Sequence, residues 1–229
     1  MGITHDDTEW LRASTRPALP RTLRRPAAGL ALLGLLALAV PALLYGGDTG
    51  PSRLDTRVRT AVLDEAPAGS WDIIRGIDWL GEPVGRALLL ITITLTCLAA
   101  GRRALAATAV VGMVTVTILA TALKPVVGRR IHAGFLSYPS GHTAALTAAA
   151  LIVGLLVADV LTLGPITGTA VLLTITVAAA TLTSWAQIIL DAHYPTDTVG
   201  GFGVALVVVP ATAALIDLTG RRKAVRTAS

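Results

Sequence analysis

Cysteine is all but missing from this 229-residue chain. Cys97 alone excludes an intramolecular disulfide, and inside an apolar run it reads as a small packing residue. Charge is also scarce. Charged residues make up 14% of the chain against 53% hydrophobic, and the mean hydropathy of +0.70 excludes a soluble globular domain. There is no internal repeat and no low-complexity block beyond runs of Ala, Leu, Val and Thr. Neither a carboxylate cluster nor a Cys/His spacing of metal-binding type is present, so no metal and no cofactor are expected. No small-residue cleavage site follows a short apolar core near the start. Residues 1–26, with Asp6, Asp7 and Glu9, therefore read as a disordered cytoplasmic tail before an uncleaved first span.

What the chain does have is apolar length. A bilayer takes roughly 20 residues per helix, and six such segments can be drawn: Ala27–Tyr45, Val84–Ala100, Ala104–Leu123, Thr143–Leu161, Ile166–Leu190 and Val199–Ile216. The second is short and needs its flanks to span, so five is the fallback. Their small residues allow close helix approach, and Pro41, Pro165 and Pro210 can kink helices without ending a span. The expected fold is all-α, a polytopic six-helix membrane bundle over residues 27–220, with a basic tail at 221–229.

The net charge of +5 raises the question of nucleic acid, and the position of the arginines argues against it. Arg12, Arg16, Arg21, Arg24 and Arg25 precede the first span, Arg102 and Arg103 join the second to the third, and Arg221, Arg222, Lys223 and Arg226 follow the sixth. An even number of spans puts all three clusters on one side, which the positive-inside rule makes cytoplasmic. Attraction to anionic headgroups accounts for them, so membrane lipids are expected partners and nucleic acid is not. The reading is a multi-pass plasma-membrane protein with both termini inside.

The one sizeable polar segment, residues 46–85, opens with turn-rich Gly46-Gly47-Asp48-Thr49-Gly50-Pro51. Leu54, Val58, Val62 and Leu63 then recur at helical spacing, and Trp71, Ile73, Ile74, Ile77, Trp79 and Leu80 follow. This predicts extracytoplasmic amphipathic helices that cap the bundle or form a lipid-entry rim.

Two of the four histidines carry the chemistry. Pro139-Ser140-Gly141-His142 begins the fourth apolar run, and His193-Tyr194-Pro195-Thr196-Asp197 precedes the sixth. Lys124, Arg129 and Arg130 lie just upstream of the first. Fixed cations for phosphate oxygens, one imidazole to attack and another to donate a proton make a phosphoryl-transfer set. Counting spans from a cytoplasmic N-terminus puts both clusters on the same outer face.

These residues resemble the type 2 phosphatidic acid phosphatases, membrane relatives of the acid phosphatases and vanadium haloperoxidases. Pro139–His142 is that family's second motif in full. His193 and Asp197 keep the spacing of the third, followed by Gly200-Gly201, and Lys124 opens the first as Lys124-Pro125-Val126-Val127-Gly128-Arg129. The resemblance covers roughly residues 79–220. It departs at both motif arginines, whose positions hold Ile131-His132 and Ala186-Gln187. Arg129 or Arg130 is expected to swing into the first gap and Gln187 to give a neutral hydrogen bond in the second.

The resemblance implies a metal-independent hydrolase acting on a lipid phosphate or polyprenyl diphosphate through a phosphohistidine. His193 would attack, Asp197 would fix its tautomer, and His142 would protonate the leaving oxygen. Lys124, Ser140 and the amides around Gly141 would hold phosphate. The alternative is a catalytically weakened lipid-phosphate binder on the same fold. A channel or transporter is disfavoured, because no polar residue lies deep within a span.

Overall fold

Among the residues described by the computed structural model, 16–132 and 134–228, there are eight α-helices and one two-stranded hairpin. The helices are α1 (Arg24–Tyr45), α2 (Arg53–Asp64), α3 (Trp71–Gly81), α4 (Pro83–Ala99), α5 (Arg103–Val127), α6 (Gly141–Val160), α7 (Pro165–Ile189) and α8 (Pro195–Ala228). The antiparallel pair β1 (Arg130–Ile131) and β2 (Phe135–Leu136) lies between α5 and α6. The described residues are thus all-α apart from that short ribbon.

Five helices are long and apolar enough to cross a membrane: α1 with the turn before it, α5, α6, α7 and the first 26 residues of α8. The sixth expected span is present in broken form. Helices α3 and α4 pass the same test together but meet at a bend of 72°. Pro83 at the first position of α4 causes the break, because its ring disfavours helical backbone before it and it brings no N–H to continue α3.

Helix α6 is the centre of the bundle, and its sequence explains why. Ala144, Ala145, Ala148 and Ala149 let α5 and α8 approach closely, while Leu151, Ile152 and Leu155 fill the layer beneath. The facing sides bring Ala109, Met113, Val116 and Ala120 from α5, and Val204, Ala205, Val209 and Ala213 from α8. Such small-residue contacts are how helices associate where lipid competes for apolar surface. The outward faces stay apolar. Leu32, Leu35, Leu36 and Leu43 of α1, Ile118 of α5 and Ile166 of α7 are all exposed, as a lipid-facing surface requires.

The two ends of the bundle differ. At one end Arg102 pairs with Asp159, and Asp217 accepts the backbone N–H groups of Ala18 (2.6 Å) and Leu19 (3.2 Å). Residues 16–26 therefore do not form part of a free tail: Ala18, Leu19 and Leu23 are buried against the bundle. The expected disorder of residues 1–15 lies outside the described residues. Helix α8 runs through the segment 221–228 that the sequence assigns to a tail. At the other end the α1–α2 link is tied to the α5–β1 link by Gly47 N–H to Val127 carbonyl (2.9 Å) and Arg130 N–H to Asp48 carbonyl (2.8 Å). The histidine motifs gather at this second end.

Candidate active site

Ser140 caps helix α6. Its hydroxyl accepts from Thr143 N–H (3.4 Å) and Thr143 Oγ1 (3.1 Å), and its own N–H donates to the Asp197 carbonyl (2.9 Å). That last bond needs α8 to lie directly on the loop. A Cβ at Gly201 would stand 2.3 Å from the Ser140 carbonyl oxygen, so only glycine fits. Gly141, the first residue of α6, has nothing within 4 Å of where a Cβ would point. The start of a 20-residue helix thus faces open space, with Ser140 fully buried beneath it.

His193 and Asp197 flank the start of α8, four residues apart. Asp197 Oδ2 accepts the Tyr194 N–H (3.0 Å) and lies 3.7 Å from His193 Nδ1, while Oδ1 accepts from Arg129 Nη1 (2.7 Å). His193 Nδ1 is buried without a hydrogen-bond partner, and its ring is near enough to His142 for their charges to interact.

Arg129 does not reach toward a phosphate. It is fully buried, and Nη2 donates to Asp55 Oδ2 (2.6 Å) while Nη1 serves both Asp197 and Thr196 Oγ1 (2.5 Å). The rings of Tyr45 and Tyr194 lie 5.0 and 4.7 Å from its guanidinium carbon. Asp55, from α2, is what the sequence reading missed. The only local signal is the capping box Ser52-x-x-Asp55, which marks a helix start and not a partner 74 residues away. Burial alone would raise the Asp55 carboxyl. The Thr196 N–H, the Ser52 hydroxyl and amide, and Arg129 outweigh it and hold the group below the ordinary carboxylate range.

The other expected phosphate ligands divide. Lys124 Nζ donates to the Leu136 carbonyl (3.0 Å), close enough to Asp197 to feel its charge. Arg130 is exposed and donates to the Gly134 carbonyl (2.7 Å) across the hairpin. Asp191, two residues before His193, pairs with Arg59 (3.1 Å) and His132 (3.3 Å) and with neither Arg129 nor Arg130.

His142 lies beneath the α3–α4 corner, and here the fold assembles a group that the sequence did not announce. Its Nε2 is 3.4 Å from Asp78 Oδ1 and 3.6 Å from Glu82 Oε1. A Cβ at Gly81 would stand 2.2 Å from the imidazole Cδ2, so the corner closes onto the ring through a glycine. Gln187 is fully buried, and its Nε2 donates to Asp78 Oδ1 (2.8 Å), not outward. The expectation of no carboxylate cluster fails: Asp78 in the last turn of α3 and Glu82 at its cap are four residues apart and share a face, with the Glu82 N–H donating to the Asp78 carbonyl (3.2 Å).

The sequence and the fold have counterparts among known proteins. The sequence model of the PAP2 superfamily matches residues 104–220, just over half the chain. The structure is similar to the crystal structure described as the first transmembrane PAP2 type phosphatidylglycerolphosphate phosphatase from Bacillus subtilis. The TM-score is 0.60 at 19% identity, covering 82% of this chain and 94% of that one. A search of curated proteins finds no match.

Proposed function

The chain belongs to the PAP2 superfamily, and from that premise and the geometry above we propose a lipid phosphatase working through a phosphohistidine on His193. Its substrate is a lipid phosphate or polyprenyl diphosphate, taken at the extracytoplasmic face. The observation that carries this reading is the His193–Asp197–Arg129 chain beside the open start of α6.

Asp197 Oδ2 takes the Nδ1–H of His193, which fixes the tautomer and leaves the Nε2 lone pair free to attack phosphorus. The 3.7 Å separation is longer than a hydrogen bond and would shorten once phosphate draws the ring forward. As the P–N bond forms, the bond from phosphorus to the lipid oxygen breaks, and that oxygen takes a proton from His142. Water then attacks the phosphohistidine, giving a proton to the now neutral His142, the P–N bond breaks, and inorganic phosphate leaves with both histidines restored. Lys124 and the amides at Gly141 hold the phosphoryl oxygens, aided by the helix dipole.

Two features support a lipid substrate at the outer face. The arginine-rich connections lie at the opposite end of the bundle, which makes that end cytoplasmic by the positive-inside rule. An apolar groove of about 360 Å³, lined by Pro83, Arg86, Leu90, Met113 and Ile118, begins next to Glu82 and suits a hydrocarbon chain. A weakened lipid-phosphate binder is the second reading, favoured by the commitment of Arg129 to carboxylates and of Gln187 Nε2 to Asp78. Phosphate release from phosphatidic acid, phosphatidylglycerol phosphate and a polyprenyl diphosphate by protein purified in detergent decides between them. Release that His193→Ala removes supports the phosphatase. Binding of these lipids without release supports the second reading.

A further inference from the structure

We propose that Asp78, fixed by Gln187 and helped by Glu82, positions His142 and keeps its ring charged, so that the lipid leaving group receives a proton. The part in proton donation rests on the phosphatase reading; the pairing of Asp78 with His142 does not.

The geometry repeats, in a second copy, what Asp197 does for His193. In each pair one imidazole nitrogen is buried without a hydrogen bond and faces a carboxylate. His193 Nδ1 lies 3.7 Å from Asp197, and His142 Nε2 lies 3.4 Å from Asp78. A buried ring nitrogen with an acceptor in front of it carries a hydrogen. The Nε2–H of His142 therefore points to Asp78, and Nδ1 is left to serve the substrate. Gly81 lets the corner close onto the ring and hold it in that orientation. Asp78 is fixed in turn, because its Oδ1 accepts from the fully buried Gln187 Nε2 (2.8 Å).

Charge separates the two pairs. An attacking imidazole must be neutral, whereas a proton donor must be charged. Asp197 is balanced by the buried guanidinium of Arg129 at 2.7 Å. Asp78 has only an amide, which orients the carboxylate and leaves its negative charge standing. An arginine at position 187 would cancel that charge; glutamine does not. Burial penalises a charged His142 ring. Asp78 and, more weakly, Glu82 oppose that penalty, while charge on His193 and on Arg86 of α4 adds to it. Glu82 is the weaker partner because it stands 3.6 Å away and is more exposed to screening by water. The other charged groups at this end are engaged elsewhere: Lys124 of α5 by the Leu136 carbonyl, Asp197 of α8 by Arg129, and Asp191 by Arg59.

The proton balance follows. As the bond from phosphorus to the lipid oxygen breaks, that oxygen takes the Nδ1 proton, and His142 becomes neutral with its Nε2–H still on Asp78. The attacking water then returns a proton to Nδ1.

The test is a pH titration of the histidine ring signals by NMR, on detergent-purified protein with ¹³C-labelled histidine and with His142→Ala to assign the signal. Beside it stands the pH profile of phosphate release from the lipid phosphates named above. In Asp78→Asn, which keeps the shape of the side chain, the His142 titration should move to lower pH by about one unit or more. The alkaline limb of kcat/KM should move with it, so that release above the limb falls by up to about tenfold. Glu82→Gln is an exposed change that keeps the fold even if Asp78→Asn does not, and it should move both in the same direction by less. Carboxylates that only pack the corner would move neither. A His142 titration unchanged in both variants overturns the proposal and leaves the phosphatase reading intact. A titration that moves as stated, in protein that releases phosphate from no lipid phosphate, supports the pairing and sinks the phosphatase reading instead.

Discussion

Replacing Arg129 by Ala tests whether this arginine organises the site or serves the substrate. The guanidinium is fully buried between Asp55 (2.6 Å) and Asp197 (2.7 Å). Its loss would not expose both carboxylates equally. Asp55 keeps four other hydrogen bonds, from the amides and hydroxyls of Ser52 and Thr196, whereas Asp197 keeps only the Tyr194 N–H. The destabilisation should therefore match one broken buried pair, about 3–5 kcal/mol, and not twice that. Freed from Arg129, Asp197 would also lose its orientation toward His193, so kcat should fall in protein that still folds. The control is Arg130→Ala, an exposed change expected within about 0.5 kcal/mol of wild type. Thermal unfolding in detergent gives the stability change. A cycle with Asp55→Asn should be strongly non-additive, because both changes break one network. Equal, near-wild-type midpoints for Arg129→Ala and Arg130→Ala would refute the reasoning, as would a clean rise in KM with stability unchanged.

Three further outcomes follow from the same geometry. On a Cys97→Ala background, cysteines at 102 and 132 should label from opposite sides of the membrane; labelling of both by an impermeant reagent contradicts the topology. Gly201→Ala forces a methyl group against the Ser140 carbonyl, and overpacking of this kind costs typically about 1–3 kcal/mol. It should lower both the unfolding midpoint and phosphate release, whereas Gly220→Ala, which meets open space, should do neither. The Asp55 carboxyl is held below its ordinary value. Its contribution to stability is therefore present above the unfolded value of roughly 4 and is lost as pH falls through the lower folded value. The stability gap between wild type and Asp55→Asn should be constant near neutrality and narrow only below about pH 4.

Apolar length and motif spacing made most of the bundle legible. The runs behind α1, α5, α6, α7 and α8 are long enough to read directly, and Pro139–His142 with His193 and Asp197 marks the end of the bundle where the two histidine motifs meet. What escaped is long-range pairing. Asp55 looks like one charge on an amphipathic helix, and only folding sets it against Arg129 and Thr196. Arg129 and Arg130 are adjacent in sequence yet point to opposite fates, one sealed between carboxylates and one on a hairpin surface. Asp78 and Glu82 escaped for a different reason. They are four residues apart and both precede Pro83, so helical register already puts them on one face. What no periodicity encodes is that the 72° corner sets that face over His142.

The account rests on His193 as the group that receives the phosphoryl. The direct measurement is rapid quench of purified protein with a ³²P-labelled lipid phosphate, followed by mapping of base-stable, acid-labile label. Label on the peptide containing His193 in wild type, with neither label nor phosphate release in His193→Ala, is the predicted result. Phosphate release by His193→Ala at the wild-type rate would contradict it.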